Sequence, residues 1–254
     1  MKILAATNNA DKLVEIRRVL EPLGVSVVSP ADVNVNIQVE ETGATFTENA
    51  LLKARAFFEA SGLPSLADDS GLCVDALDGR PGLHTAYYQG ENASYPQRIS
   101  ALVDELKDVP EGQRTARFVC HLCFVTTGTG TGEPAFKLAT PGAEGAPCAL
   151  RIIESIGEPA FKLATPGAEG TPCTLRIIES GGVGNDLFAL ECSGVCEGEI
   201  GRSPKGDGGF GYDPIFYVDG KSMAERPKEE KDYLSHRGRA LREFAALLGK
   251  LQLC

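Results

Sequence analysis

Two kinds of apolar spacing alternate from the first residues of the chain, and that alternation limits its fold more than any other feature. Residues 3–6 (Ile-Leu-Ala-Ala) form an unbroken apolar run of strand length, and polar Thr7-Asn8-Asn9 follows. Leu13, Ile16, Leu20 and Leu23 then recur at the spacing of one helix face. A second strand is expected over residues 25–28. Thr45 and Glu48 match a capping box, in which hydroxyl and carboxylate satisfy each other's backbone N–H groups. The helix it opens carries Ala50, Leu51, Ala54, Phe57 and Phe58. Short strands at 63–67 and 72–74, and a helix through Ile99, Leu102, Val103 and Leu106, extend the pattern. Two hairpin arms at 116–125 and about 187–192, and a last helix capped by Ser235 through Leu241, Phe244, Leu248 and Leu251, complete it. Such alternation predicts an α/β fold with a central mixed sheet flanked by helices.

At 254 residues the chain is long enough for one large domain or two small ones, and residues 1–254 are taken as one. Its formal charge of −10 argues against a passive nucleic-acid binder, which needs a basic stripe. No apolar run approaches the roughly 20 residues of a membrane span, and the opening run is too short for a secretory leader. The expectation is a cytoplasmic protein with no membrane partner, its eight cysteines reduced. Cys120 and Cys123 form C-x-x-C, and Cys192 and Cys196 form C-x-x-x-C, a possible zinc set. Residues 116–125 read as a buried strand, however, which points Cys120 and Cys123 to opposite faces. Packing thiols are therefore expected.

Residues 132–156 and 157–181 are a tandem duplication differing only at Ala146/Thr171, Ala149/Thr174 and Ile156/Gly181. Two copies are too few for a solenoid. The segment is read as an insertion lengthening a hairpin loop, with a partner-binding arm as the alternative.

Four stretches hold more polar and glycine residues than folding requires. Thr7-Asn8-Asn9-Ala10-Asp11-Lys12 lies at a strand-to-helix junction, where N–H groups attract anions. A plain helix cap with a solvated lysine would look the same. Glu40-Glu41-Thr42-Gly43 and Asp68-Asp69-Ser70-Gly71 supply four carboxylates. Mg²⁺ takes such oxygens together with phosphates and water, and one carboxylate could orient a water for attack. The bland alternative for Asp68–Gly71 is a turn with side-chain-to-backbone bonding. Gly206 to Pro214 sets four glycines beside Phe210 and Tyr212, which suits a flat ligand; a hairpin turn is the other reading. Lys231 and Ser235-His236-Arg237-Gly238 add cations and an imidazole. The chain has no G-x-S-x-G elbow and no P-loop pattern.

In order along the chain, TNNADK, EETGATFTENALLKA, LADDSGLCVDAL, GRPGLHTAYYQGE, GFGYDPIF and EEKDYLSHRGRAL resemble the inosine/xanthosine triphosphate pyrophosphatase family. The resemblance covers about residues 1–125 and 187–250. It implies two lobes with a cleft, a cytoplasmic homodimer, and hydrolysis of non-standard purine nucleoside triphosphates (ITP, dITP, XTP) to monophosphate and pyrophosphate. Carried over motif by motif, it implies Mg²⁺ on Glu40 and Asp69, with Asp69 also the general base. Substrate contacts would come from Thr7, Asn8, Asn9, Ala10, Asp11, Lys12, Lys53, Ser70, Phe210, Gly211, Tyr212, Asp213, Lys231, His236 and Arg237. Asp68 and Glu41 would support the metal ligands. Tyr87 stands where the family commonly has arginine, and the duplication lies outside the family pattern. The alternatives are a silent nucleotide-binding protein on the same scaffold and a phosphatase releasing orthophosphate.

Overall fold

The first apolar run becomes strand β1, Lys2–Ala5, in the computed structural model of the chain. That model describes residues 1–127, 136–138, 150–155, 158–163, 173–179, 187–248 and 251–253. Helix α1 follows, Ala10–Leu20, capped by the Asn9 side chain, which accepts from the N–H groups of Asp11 and Lys12. The helix stops at Leu20 because Pro22 cannot continue it. Leu23, expected on the helix's apolar stripe, instead ends a 3₁₀ turn and is 58% exposed.

Strand β2, Ser26–Val28, pairs in parallel with β1, with Ile3 opposite Val27. Helix α2, Phe46–Ser61, begins at the expected capping box of Thr45 and Glu48. Strand β3, Ser65–Val74, returns parallel to β1, with Ala5 opposite Leu66. The order β2-β1-β3 means that the chain reverses direction across the sheet after β2. Right-handed crossovers running in opposite directions put α1 and α2 on opposite faces. Leu4, Ala6 and Ala67 accordingly pack against Ala50, Ala54 and Phe57 of α2. Ile3 and Ala5 point the other way and are wholly buried.

The expected break at residues 68–71 does not occur: β3 runs straight through Asp68-Asp69-Ser70-Gly71. Helix α3, Tyr95–Glu105, leads to β4, Thr115–Thr127. Within the duplicated segment lie β5, Phe136–Leu138, β6, Leu150–Ser155, β7, Glu158–Leu163, and β8, Cys173–Glu179. Strand β9, Leu187–Ile200, is followed by β10, Phe216–Val218, β11, Lys221–Ser222, helices α4, Lys228–Leu234, and α5, His236–Leu248, and β12, Leu251–Leu253. The main sheet is mixed, in the order β2-β1-β3-β4-β9-β8-β7-β6, with β10 and β11 off this path.

The hairpin arms β4 and β9 are neighbours, as expected. The insertion between them is more than a loop, because β8, β7 and β6 extend the sheet by antiparallel pairing. Short Leu-Arg-Ile-Ile runs have no periodicity long enough to announce this; an existing edge recruits them. The cysteine reading also needs correction. Thr174 pairs with Glu191, so Cys173 and Cys192 are directly opposed, and they form a disulfide. Cys73, Cys120, Cys123 and Cys196 remain thiols; Cys148 and Cys254 lie outside the described residues.

The chain divides into two compact units, Met1–Asp69 with His121–Ser193 and Ala240–Cys254, and Ser70–Cys120 with Gly194–Arg239. The first has the α2-covered core just described. In the second, Leu72, Val74, Ile99, Leu102, Tyr212, Ile215 and Phe216 form the core. Fully burying each such large side chain contributes about 1.5–3 kcal/mol. No helix among the described residues is long and apolar enough to cross a membrane.

Candidate active site

In the first unit, β1 and β3 diverge from their shared pairing where the strand order reverses, the place where open α/β sheets bind ligands. Just past β1, the Ala6 N–H donates to the Leu66 carbonyl (2.8 Å) and the Asn9 N–H to the Thr7 hydroxyl (3.1 Å). Asn9 Oδ1 takes the N–H groups of Asp11 (2.9 Å) and Lys12 (3.1 Å). The helix start expected to offer N–H groups to an anion therefore has two of them already engaged.

Neighbouring residues on a strand face opposite sides, and this resolves how two adjacent aspartates are tolerated. Asp68 and Asp69 are 2% and 6% exposed. Asp68 Oδ2 lies 3.1 Å from Lys12 Nζ of α1, and Asp69 Oδ1 lies 2.7 Å from Lys53 Nζ of α2. Lys53 Nζ also reaches Glu41 Oε1 at 3.0 Å. Lys12, expected as a mobile phosphate ligand, is thus held by Asp68. Burial pushes the Asp69 carboxyl above the usual carboxylate range, and Lys53 offsets only part of that rise. Burial works to lower the Lys53 pKa, but Asp69, Asp68 and Glu41 outweigh it and the net shift is upward. Glu40 is exposed on the preceding loop, its carbonyl accepting from the Thr42 N–H at 3.1 Å.

Asn49 is a site residue that the motifs did not single out. Its Nδ2 donates to Asp69 Oδ2 at 3.4 Å, and its Oδ1 accepts from the Gly43 N–H at 2.8 Å. The signal was present in the sequence: Asn49 is a polar residue on the stripe that carries Ala50, Ala54 and Phe57, one helical turn before Lys53.

In the second unit the chemistry differs. Gly209 and Gly211 flank Phe210 with φ of 70° and 67°, values that L side chains rarely adopt. A side chain at Gly209 would also run into the Asp213 carboxylate. Asp213 Oδ2 accepts from the Phe210 N–H at 2.7 Å and lies 2.7 Å from Lys231 Nζ. Lys231 Nζ sits 4.4 Å and Arg237 Cζ 5.7 Å from the centre of the Phe210 ring, within cation–π range. An Arg237 amino group donates to Ser70 Oγ at 3.4 Å. Tyr212 is buried, its hydroxyl donating to the Thr85 carbonyl at 3.2 Å, so it supports the glycine turn from below. His236 stacks on Phe118 at 4.7 Å with an interplanar angle of 12°. The structure thus gathers Ser70, Phe210, Asp213, Lys231 and Arg237, while Tyr212 serves packing.

Among the described residues, no three or more His, Cys, Asp or Glu side chains converge to cage an ion. The available donors, Glu40, Glu41 and Asp69, are carboxylates on one strand and on one loop. That donor set fits a hard cation such as Mg²⁺, which commonly takes one or two protein carboxylates and completes its shell with phosphate and water.

The Ham1 family model matches residues 3–143 and 171–247. The chain is 37% identical over 243 residues to a dITP/XTP pyrophosphatase of Escherichia coli (strain K12), covering 95% of this chain and 94% of that one. It is 38% identical to a dITP/XTP pyrophosphatase of Halalkalibacterium halodurans, covering 95% of both. Among solved structures it resembles a HAM1 protein from Coxiella burnetii, with a TM-score of 0.67, 31% identity and coverage of 98% of this chain and 99% of that one. A nucleoside-triphosphatase / dITP/XTP pyrophosphatase from Mycobacterium abscessus matches with a TM-score of 0.57 and 36% identity, over 98% and 99% of the two chains. With most of its length matched by the family model and relatives well above 30% identical along nearly the whole chain, this protein belongs to the Ham1 family.

Proposed function

We propose that this chain hydrolyses non-standard purine nucleoside triphosphates (ITP, dITP and XTP) to the monophosphate and pyrophosphate. The observation that carries the reading is the buried Asp69, its pKa raised by burial and its carboxylate gripped by Lys53. A carboxylate so tuned is a better proton acceptor near neutral pH than an exposed one. The names of the relatives, dITP/XTP pyrophosphatase, support the substrate class.

In this reading Asp69 takes the proton of the attacking water. Thr7 to Lys12 and Lys53 receive the phosphates, and Lys12 can exchange Asp68 for a phosphate oxygen. Glu40 and Asp69 would hold Mg²⁺, which when bound neutralises phosphate charge and acidifies water. Ser70, Phe210, Gly211, Asp213, Lys231, His236 and Arg237 contact the rest of the nucleotide, with Tyr212 supporting the turn from beneath. Arg237 and His236 offer donors to a 6-oxo group, whereas the 6-amino group of adenine would leave them unmatched. A cytoplasmic homodimer belongs to the same proposal, supported by the sequence resemblance.

Product identification tests the reading. ITP incubated with the protein and Mg²⁺, followed by ³¹P NMR, should give IMP and pyrophosphate in equal amounts. IDP with orthophosphate would make the protein a phosphatase, and no turnover would make it a binding protein.

A further inference from the structure

Both oxygens of Asp69 are held by one face of one helix. Lys53 Nζ takes Oδ1 at 2.7 Å, and Asn49 Nδ2 donates to Oδ2 at 3.4 Å. Asn49 and Lys53 are four residues apart on α2, so their side chains lie one above the other. Lys53 supplies charge; Asn49 supplies direction, because its planar amide has fixed donor and acceptor ends.

The acceptor end is used as well. Asn49 Oδ1 takes the Gly43 N–H at 2.8 Å, which ties the loop carrying Glu40 and Glu41 to the same amide. The approach is close enough to exclude a side chain at residue 43, whose Cβ would lie 2.7 Å from Asn49 Oδ1 and 2.7 Å from Glu48 Cβ. The neighbouring Glu48 carboxylate takes the N–H groups of Ala44 (2.6 Å) and Thr45 (3.1 Å), fastening the loop at a second point. Asn49 is 3% exposed among apolar Ala50, Ala54 and Phe57. A buried amide in that setting is costly unless both ends are bonded. Serving only as core, the position would favour another apolar residue.

We infer that Asn49 is a positioning residue for the reaction: it orients the Asp69 carboxylate and fixes its distance from the Glu40–Glu41 loop. This rests on the assignment of Asp69 as the group that activates water. Outer partners of this kind typically alter activity 10–100-fold when removed, because small displacements of a reacting group are expensive.

A mutant cycle tests it. Asn49→Ala should lower kcat for ITP about 10–100-fold while KM changes little. In an Asp69→Asn background the same change should cost no more than about twofold, since its target is already gone. Equal losses in both backgrounds would show that Asn49 acts only through general structure and would overturn the inference. So would a fully active Asn49→Ala enzyme. If Asn49→Ala does not fold, Asn49→Asp replaces it in the cycle; it keeps an acceptor for the Gly43 N–H, removes the donor to Asp69 and sets a second carboxylate against it, so the loss should be at least as large with Asp69 present and should again shrink to about twofold in the Asp69→Asn background. An Asp69→Asn enzyme with full activity would instead refute the role of Asp69 itself, whatever Asn49 does.

Discussion

Lys53 of the first unit and Lys231 of the other are alike when only their nearest partners are considered. Each is largely buried and each lies 2.7 Å from an aspartate oxygen. Their further neighbours separate them. Lys53 is enclosed by carboxylates, with Glu41 at 3.0 Å and Asp68 contributing to its field. Lys231 lies over the Phe210 ring beside Arg237, and its aspartate is also occupied by the Phe210 N–H. The first environment suits moving a proton next to phosphate. The second presents cations and an aromatic face, which suits recognising a base. What an ion pair does chemically is set by the groups around it more than by the pair.

The strongest way to break that comparison is Asp69→Asn. It should lower kcat by about 10²–10⁴-fold with KM nearly unchanged, the cost of losing a general base. Steady-state kinetics with ITP check this, and a rise in KM alone would move Asp69 to the binding side. Arg237→Ala should act in the opposite sense. Losing a charged hydrogen bond costs about 1.5–3 kcal/mol, or roughly 10–100-fold in kcat/KM. The loss should fall mainly on KM and should narrow the preference for ITP over ATP, expected to be at least about 100-fold in the unaltered protein.

A subtler test uses pH. A base works deprotonated, so activity falls as pH drops through its pKa. Burial raises the Asp69 pKa, and Lys53 pulls it part of the way back. Lys53→Met should therefore move the acid limb of kcat/KM to higher pH. An unmoved limb would separate Lys53 from Asp69 electrostatically. The smallest effect is expected from joining residue 131 to residue 182. This removes β5 to β8 and the disulfide partner of Cys192 but none of the proposed site residues, and it leaves β4 and β9 paired. Turnover of ITP should persist, and its loss would give the inserted strands a role in the site.

Features with local determinants were legible in the sequence. The Thr45–Glu48 capping box is a short-range device, and it forms as expected. Features decided by neighbours in space were not. Ser70-Gly71 reads as a turn in isolation, yet β3 continues through it beside β4, its neighbour in the sheet, after the pairing with β1 has ended at Leu66. The same tripeptide Phe-Lys-Leu forms β5 in one copy of the duplication and the end of β7 in the other, pairing with β12 and with β6 and β8 respectively. The lysine partners of the two aspartates are long-range contacts that no spacing rule announces, and spacing marks Asn49 only as a polar residue on an apolar stripe, without naming Asp69 and Gly43 as its partners.

The passage of an unbroken strand through the aspartate pair has one more consequence. Side chains on a strand alternate with a period of two, so a slip of β3 by one residue against β1 would exchange the faces of Asp68 and Asp69. A slip one way would bring Asp69 to Lys12 and leave Ser70 facing Lys53; a slip the other way would bring Asp68 to Lys53 and leave Ala67 facing Lys12. The pairing of Ala5 with Leu66, and the packing of Ala67 beneath α2, therefore fix which aspartate faces which lysine as well as contributing stability. In this chain the alignment of two core strands is part of the specification of the proposed active site, although neither pairing residue carries a functional group.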